Sequence, residues 1–231
     1  MHTTHLEPLT IEFPLRGEWN ALTSPADKVP SHGTDRMGLR YAFDFQQVDY
    51  LRKNTPFYKV SESRRILFGV PLKDCYGWGE PIYAPLNGEI VAVVDGHKER
   101  RIVHWLVESL IGLKKSLSFD ESKHDFSRLA GNYVVLKCAP RVYIALVHMK
   151  KNSINVILGQ QVKKGELLGE VGHSGNSTAP HLHLQVMDRP DFKEAQGFPV
   201  NFEEYEIYKN NSWHKVSQEI PSRKDRIRFL K

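Results

Sequence analysis

The stretch GQQVKKGELLGEVGHSGNSTAPHLHLQV, residues 159–186, decides how the rest of the chain is read. Gly165 supplies a turn, and the run after it reads as a strand ending in a glycine-bearing loop. Pro180 to Met187 then alternates apolar and polar positions, the pattern of a half-buried strand. Successive strand side chains point to opposite faces, so His181 and His183 project the same way while Leu182 and Leu184 face a core. Two imidazoles on one strand face are close enough to serve one metal site. Taken alone the pair is weak evidence, because two histidines share a strand face often enough by chance.

Working outward, PIYAPLNGEIVAVVDG (residues 81–96) reads as a short strand, a turn at Asn87-Gly88 and a β-branched run from Glu89 to Val94. Asn132 to Lys137 and Arg141 to His148 read as two more strands joined by a turn at Ala139-Pro140. Between these pairs, RRIVHWLVESLIGLKK (residues 100–115) breaks the pattern. Ile102, Leu106, Leu110 and Leu113 recur at helical spacing, with Val103, Val107 and Ile111 adjoining. This predicts one inserted helix whose apolar stripe packs on the sheet, followed by a charged loop from Asp120 to Arg128. Residues 1–30 read as an extended lead-in. Residues 31–188 form the main domain, with the insertion at about 98–130. Residues 189–231 are an aromatic and charged extension, strand-like around Tyr205 to Tyr208, expected to pack on that domain.

Bulk properties narrow the function classes. At 231 residues, 40% hydrophobic and 26% charged, the chain has the composition of a globular protein with one sizeable core. No run approaches the roughly 18 apolar residues of a spanning helix, and the first residues show no signal-peptide pattern. The formal net charge of +5 is spread along the chain without a nucleic-acid motif, so nucleic acid is not an expected partner. Cys75 and Cys138 lack metal or redox spacing and are expected to be unpaired, mostly buried thiols.

Residues 159–186 resemble the C-terminal signature of the lysostaphin and LytM-type metallopeptidases (metallopeptidase family 23), which cleave peptide bonds in bacterial peptidoglycan. PIYAPLNGEIVAVVDG, GNYVVLKCAPRVYIALVHM (residues 131–149) and YAFDF (residues 41–45) resemble earlier blocks of the same family, in the same order. The resemblance covers roughly residues 30–188, apart from the insertion. It implies a mainly β fold, an antiparallel sheet of the barrel/sandwich-hybrid type (duplicated hybrid motif). It also implies one Zn2+ per chain, with Asp44 and His183 as ligands and His148 and His181 as the catalytic pair. Two imidazoles and a carboxylate leave a zinc site with net positive charge and an open position for water, whose pKa such a metal lowers to about 7. One neutral histidine then takes the water's proton, and a second, protonated, supports the oxyanion or the leaving amine. No HExxH is present, so histidines must do the work of its glutamate.

One departure matters. The family usually carries a ligand histidine four residues before the aspartate, and Arg40 stands there. His32 is the replacement we expect, reaching the metal from a longer loop; Asp35 is a poorer choice. His173, Asn176 and Gln185 are candidate groove residues. Gln185 stands where the family often has glutamate, and an orienting hydrogen bond to a ligand is a second role for it. His2, His5, His97, His104, His124 and His214 are read as solvated or packing residues.

The expected function is zinc-dependent endopeptidase action on stem or cross-bridge peptides of peptidoglycan. The alternative is a catalytically impaired regulator or binder of cell-wall enzymes, which Arg40 keeps open. VKKGELLGEV also resembles the hairpin of biotinyl and lipoyl carriers, but no lysine lies between Gly165 and Pro180 to bear a cofactor. The resemblance implies a cell-envelope or secreted location; the sequence itself leaves the cytoplasm open as well.

Overall fold

The alternation read in residues 180–187 becomes a strand over Leu182–Met187, buried throughout, in a computed structural model that describes residues 7–118 and 126–230. In chain order the strands are β1 (Leu9–Ile11), β2 (Gly17–Thr23), β3 (Phe43–Gln47), β4 (Val70–Pro71), β5 (Pro81–Tyr83), β6 (Gly88–Val94), β7 (Ile102–Val103) and β8 (Asn132–Ala139). They continue as β9 (Val142–Met149), β10 (Gln161–Val162), β11 (Leu167–Glu170), β12 (Leu182–Met187), β13 (Val200–Phe202), β14 (Tyr205–Lys209), β15 (Ser212–Val216) and β16 (Ile227–Phe229). The α-helices are α1 (Glu62–Phe68), α2 (Trp105–Ser118) and α3 (Ser127–Ala130).

Ten strands form one open antiparallel sheet in the order β10-β6-β8-β9-β12-β3-β2-β16-β14-β15. The mainly β, antiparallel architecture is as the sequence implied. Its centre holds the site-bearing strands, because β12 pairs with β3 on one side and with β9 on the other. On the core face, Leu182, Leu184 and Val186 meet Phe43 and Phe45. Phe13 packs edge-on to Phe45 and Phe202, with ring centroids 4.9 and 5.1 Å apart. Burial of rings this size is the largest apolar contribution each such residue makes.

Several expectations are corrected here. Within the expected lead-in of residues 1–30, the described part from residue 7 onward joins the core: β2 pairs with β3 inside the sheet, and Phe13, Leu15 and Trp19 are fully buried. GEWNALT alternates, so Trp19 and Ala21 turn inward while their neighbours stay half-exposed. The C-terminal segment packs on the domain, as expected, and does so by extending the sheet, Ile227 standing opposite Trp19. The turn joining β8 and β9 centres on Pro140-Arg141, with Arg141 at φ 61°.

The insertion differs most. Ile102 and Val103 pair with β4 as a strand, and α2 begins only at Trp105. Leu106, Val107 and Leu110 are about half exposed, whereas Glu108 is 1% exposed. The cause is a pairing that periodicity does not reveal: Arg100 Nε donates to Glu108 Oε2 at 2.7 Å and turns the polar side inward. Besides α2 there are α1, capped by the Ser61 side chain, and the four-residue α3, so the expectation of a single helix is incomplete. His2, His5, His124 and residues 120–125 of the expected charged loop lie outside the described residues. Cys75 and Cys138 are free, as expected; Cys75 is buried, Cys138 only partly so, and burial pushes each thiol up to about 12.

Candidate metal centre and active site

Strand pairing brings the first two site residues together. In the β12–β3 ladder His183 stands directly opposite Asp44, and residues so placed on one face have neighbouring side chains. His183 Nδ1 lies 2.8 Å from Asp44 Oδ1. The third comes from the loop before β3. Ser31 N donates to Arg40 O at 3.0 Å and Ser31 Oγ donates to Ala42 O at 2.8 Å, closing the loop on itself. His32 is thereby carried to Asp44, with Nε2 3.1 Å from Oδ2. Arg40 is turned away, its guanidinium donating to Asp35 and to the Tyr41 hydroxyl. His32, not Arg40, faces the carboxylate.

The outer partners fix which ring nitrogens face inward. Ser31 Oγ spends its only proton on a carbonyl, so at 3.1 Å it accepts from His32 Nδ1–H, leaving a lone pair on Nε2. Gln185 Nε2 donates to Met37 O at 2.8 Å, so its Oε1, 2.9 Å from His183 Nε2, accepts that N–H and leaves the Nδ1 lone pair inward. Two imidazole lone pairs and a carboxylate thus converge, their ligand atoms all within 4.8 Å of one another. Facing acceptors repel unless a cation or a proton lies among them. Tetrahedral bonds of about 2.0–2.1 Å place ligand atoms roughly 3.3 Å apart, a spacing near those seen here. The donor set therefore fits a zinc ion. Gly38, at φ 74°, backs this arrangement: a Cβ there would stand 2.6 Å from Gln185 Nε2.

Two further histidines border the ligands. His148 occupies a bulge where Asn132 pairs with Met149 but Tyr133 pairs with Val147, and its φ of 65° is rare for a non-glycine residue. The bulge re-aims its ring, so that the His148 and His181 centroids lie 4.8 Å apart. His148 Nδ1 donates to the carbonyls of Ala130 (3.0 Å) and Ser174 (3.1 Å), leaving Nε2 as an acceptor. These carbonyls come close because Gly131 and Gly175 pack backbone to backbone; a Cβ on Gly175 would meet Leu129 O at 2.3 Å. Burial, with the neighbouring His181 and His183, holds His148 well below the usual histidine range. For His181 burial acts in the same direction, but the Asp44 carboxylate outweighs it and raises the group. Burial also pushes Asp44 upward, and the adjoining His181, with His183 and His32, overcomes it to hold the carboxyl well below its usual range. His181 Nδ1 donates to Ala179 O at 2.7 Å, which directs Nε2 toward Asp44 Oδ1, 3.5 Å away.

The centre lies between two cavities of about 550 and 560 Å3, both lined by Asp44, Thr178 and His181. One runs toward Tyr58, Arg65 and Trp105, the other toward Arg36, Asn176 and His148. Of the three expected groove residues, only Asn176 lines a cavity. His173 is fully buried, and Gln185, 1% exposed, sits behind His183. Sequence reading missed Ser174, Glu99 and Glu108, whose partners include residues far away in sequence, and Ser31 and Ser177, whose bonds stay within loops that carry no periodic pattern. His97 and His104 are partly buried and His214 is exposed, none of them at the centre.

Residues 121–201 match the model of peptidase family M23. The chain carries an M23 domain. The matched stretch contains His148, His181 and His183; His32 and Asp44 precede it. Among curated proteins, peptidoglycan DD-endopeptidase ShyA of Vibrio cholerae is 35% identical over 103 residues, 44% of this chain and 22% of that protein. Glycyl-glycine endopeptidase ALE-1 of Staphylococcus capitis is 37% identical over 65 residues, 28% of this chain and 18% of that protein. The chain thus spans about a fifth of the length of these relatives. Among solved structures, the catalytic domain of lysostaphin from Staphylococcus simulans aligns at 24% identity and a TM-score of 0.33, covering 52% of this chain and 68% of that one.

Proposed function

We propose that the M23 domain is a zinc-dependent endopeptidase acting on stem or cross-bridge peptides of peptidoglycan. The observation that carries this reading is the convergence of His32, Asp44 and His183, each held with its acceptor atom inward. A zinc ion held by these three, one per chain, would polarise a peptide carbonyl and make water more acidic. The chain's own residues then divide the proton work. His148, neutral and with Nε2 free, accepts a proton from the attacking water. His181, whose proton Asp44 favours, presents Nε2–H to the developing oxyanion or the leaving amine. The paired cavities accommodate an extended peptide on either side of the scissile bond. Such a substrate places the site of action in the cell envelope or outside the cell. No helix among the described residues is long and apolar enough to cross a membrane.

The regulator reading rests on Arg40; the pairing of His32 with Asp44 favours the enzyme reading instead. To test the proposal, chelator-stripped protein is incubated with isolated peptidoglycan, with and without one equivalent of zinc. Zinc-dependent release of peptides with new termini, absent in His181→Ala, is the expected result. No release by zinc-loaded wild-type protein would overturn it.

A further inference from the structure

A buried carboxylate on the inserted helix faces the active-site loop, and the proton transfers above make no use of it. Glu108 is 1% exposed and His173 is fully buried. His173 Nε2 and Glu108 Oε1 face each other at 3.4 Å, and neither atom has a hydrogen-bond partner. Buried polar atoms left unpaired are costly, so closing this gap by a few tenths of an ångström is favourable. The other Glu108 oxygen holds Arg100 Nε at 2.7 Å, and that guanidinium donates onward to the carbonyls of Gly175 and Ser177. Glu99 secures the same loop, accepting from the His173 amide at 2.8 Å.

On its other side His173 Nδ1 is 3.1 Å from Ser177 Oγ, which is 3.2 Å from His181 Nδ1. The proton order follows from the ends. Glu108 accepts from Arg100 through Oε2 and faces the ring with its other oxygen, so the proton between the pair sits on His173 Nε2. Burial, with the Arg100 charge, outweighs the raising pull of Glu108 and holds His173 below the usual histidine range; with its proton on Nε2, its Nδ1 accepts. The Ser177 hydroxyl is the donor within reach. Ser177 Oγ also donates to Ala179 O at 2.6 Å, a carbonyl that accepts the His181 Nδ1–H at 2.7 Å as well, so the hydroxyl proton is shared between that carbonyl and His173 Nδ1. Ser177 Oγ in turn shares that His181 proton.

We infer that Glu108, His173 and Ser177 form a positioning relay that fixes the His181 ring, with Nδ1–H turned away and Nε2 presented to the substrate. The inference rests on the endopeptidase reading. It also gives the insertion a role, since α2 delivers the terminal carboxylate to a site otherwise built from sheet and loops.

Glu108→Gln and Ser177→Ala, singly and together, test the relay in the zinc-loaded full chain. Each single change is expected to lower kcat about 10- to 100-fold, the usual cost of losing an orienting partner, with KM and zinc content near wild type. The double variant should be no slower than the slower single one, since the groups act as a unit. Nitrogen NMR of the histidines reads the relay without turnover. In the wild type His173 carries its proton on Nε2; in Glu108→Gln the amide faces the ring and the proton moves to Nδ1. Singles that fold and turn over within twofold of wild type would overturn the relay, as would losses that multiply in the double, or a wild-type His173 protonated on Nδ1. If wild-type protein cleaves no peptide, the endopeptidase reading fails and the NMR result alone decides the relay.

Discussion

At the scale of single residues, the centre is organised by where each imidazole keeps its proton. Ser31 and Gln185 act on His32 and His183 in the same sense, each taking the outward N–H so that the inward nitrogen is free. Removing His32 should therefore cost metal, while removing Arg40 should not. His32→Ala is expected to lower zinc content below half an equivalent after dialysis, and Arg40→Ala to retain about one, by elemental analysis. His148 makes a separate prediction about pH. Its pKa is depressed in the folded state, so below the unfolded value of about 6.5 the unfolded chain binds a proton that the folded chain refuses. Its stabilising effect is thus present above that pH and lost as pH falls below it. In metal-free protein the melting temperature should fall less steeply between pH 6.5 and 5 in His148→Gln than in the wild type; equal slopes would contradict the assignment.

Elements decide which of these residues meet. HLH was legible because two-residue periodicity is a property of any strand, and Asp44 because its block resembles a known one. That His183 would stand opposite Asp44 is a matter of register between strands 139 positions apart in sequence, fixed by the buried rows of leucine and phenylalanine behind them. The His148 bulge and the polar underside of α2 were not legible. The first arises from a mismatch between β8 and β9, the second from Arg100 and Glu108 outweighing an apolar stripe. Because Leu106 and Leu110 are about half exposed and lie outside the buried core clusters, Leu106→Ser and Leu110→Ser should each change stability by no more than about 0.5 kcal/mol in urea unfolding. The Gly38 loop against β12 is far less forgiving. Gly38→Ala adds a Cβ at positive φ against Gln185 and should weaken zinc binding about 10- to 100-fold by displacing the partner of His183.

For the whole molecule, the described N- and C-terminal segments belong to one core with the strands of the candidate site. Phe13 from the N-terminal segment and Phe202 from the C-terminal one both pack on Phe45, in the strand that carries Asp44. Reading residues 1–30 as an extended lead-in missed β2, whose alternation acquires its meaning only from β3 and β16, partners that local sequence does not name. Phe202→Ala should destabilise the entire domain by about 3–5 kcal/mol in a single cooperative transition; loss confined to the C-terminal strands would show a separable unit instead.

The central claim is that His32, from a loop twelve positions before Asp44, completes the metal site. Zinc-edge X-ray absorption of the reconstituted wild type and of His32→Ala tests it most directly. Two imidazole nitrogens at about 2.0–2.1 Å with a carboxylate oxygen are expected in the wild type, and one imidazole fewer, or no bound zinc, in the variant. Identical zinc environments in both proteins would contradict it.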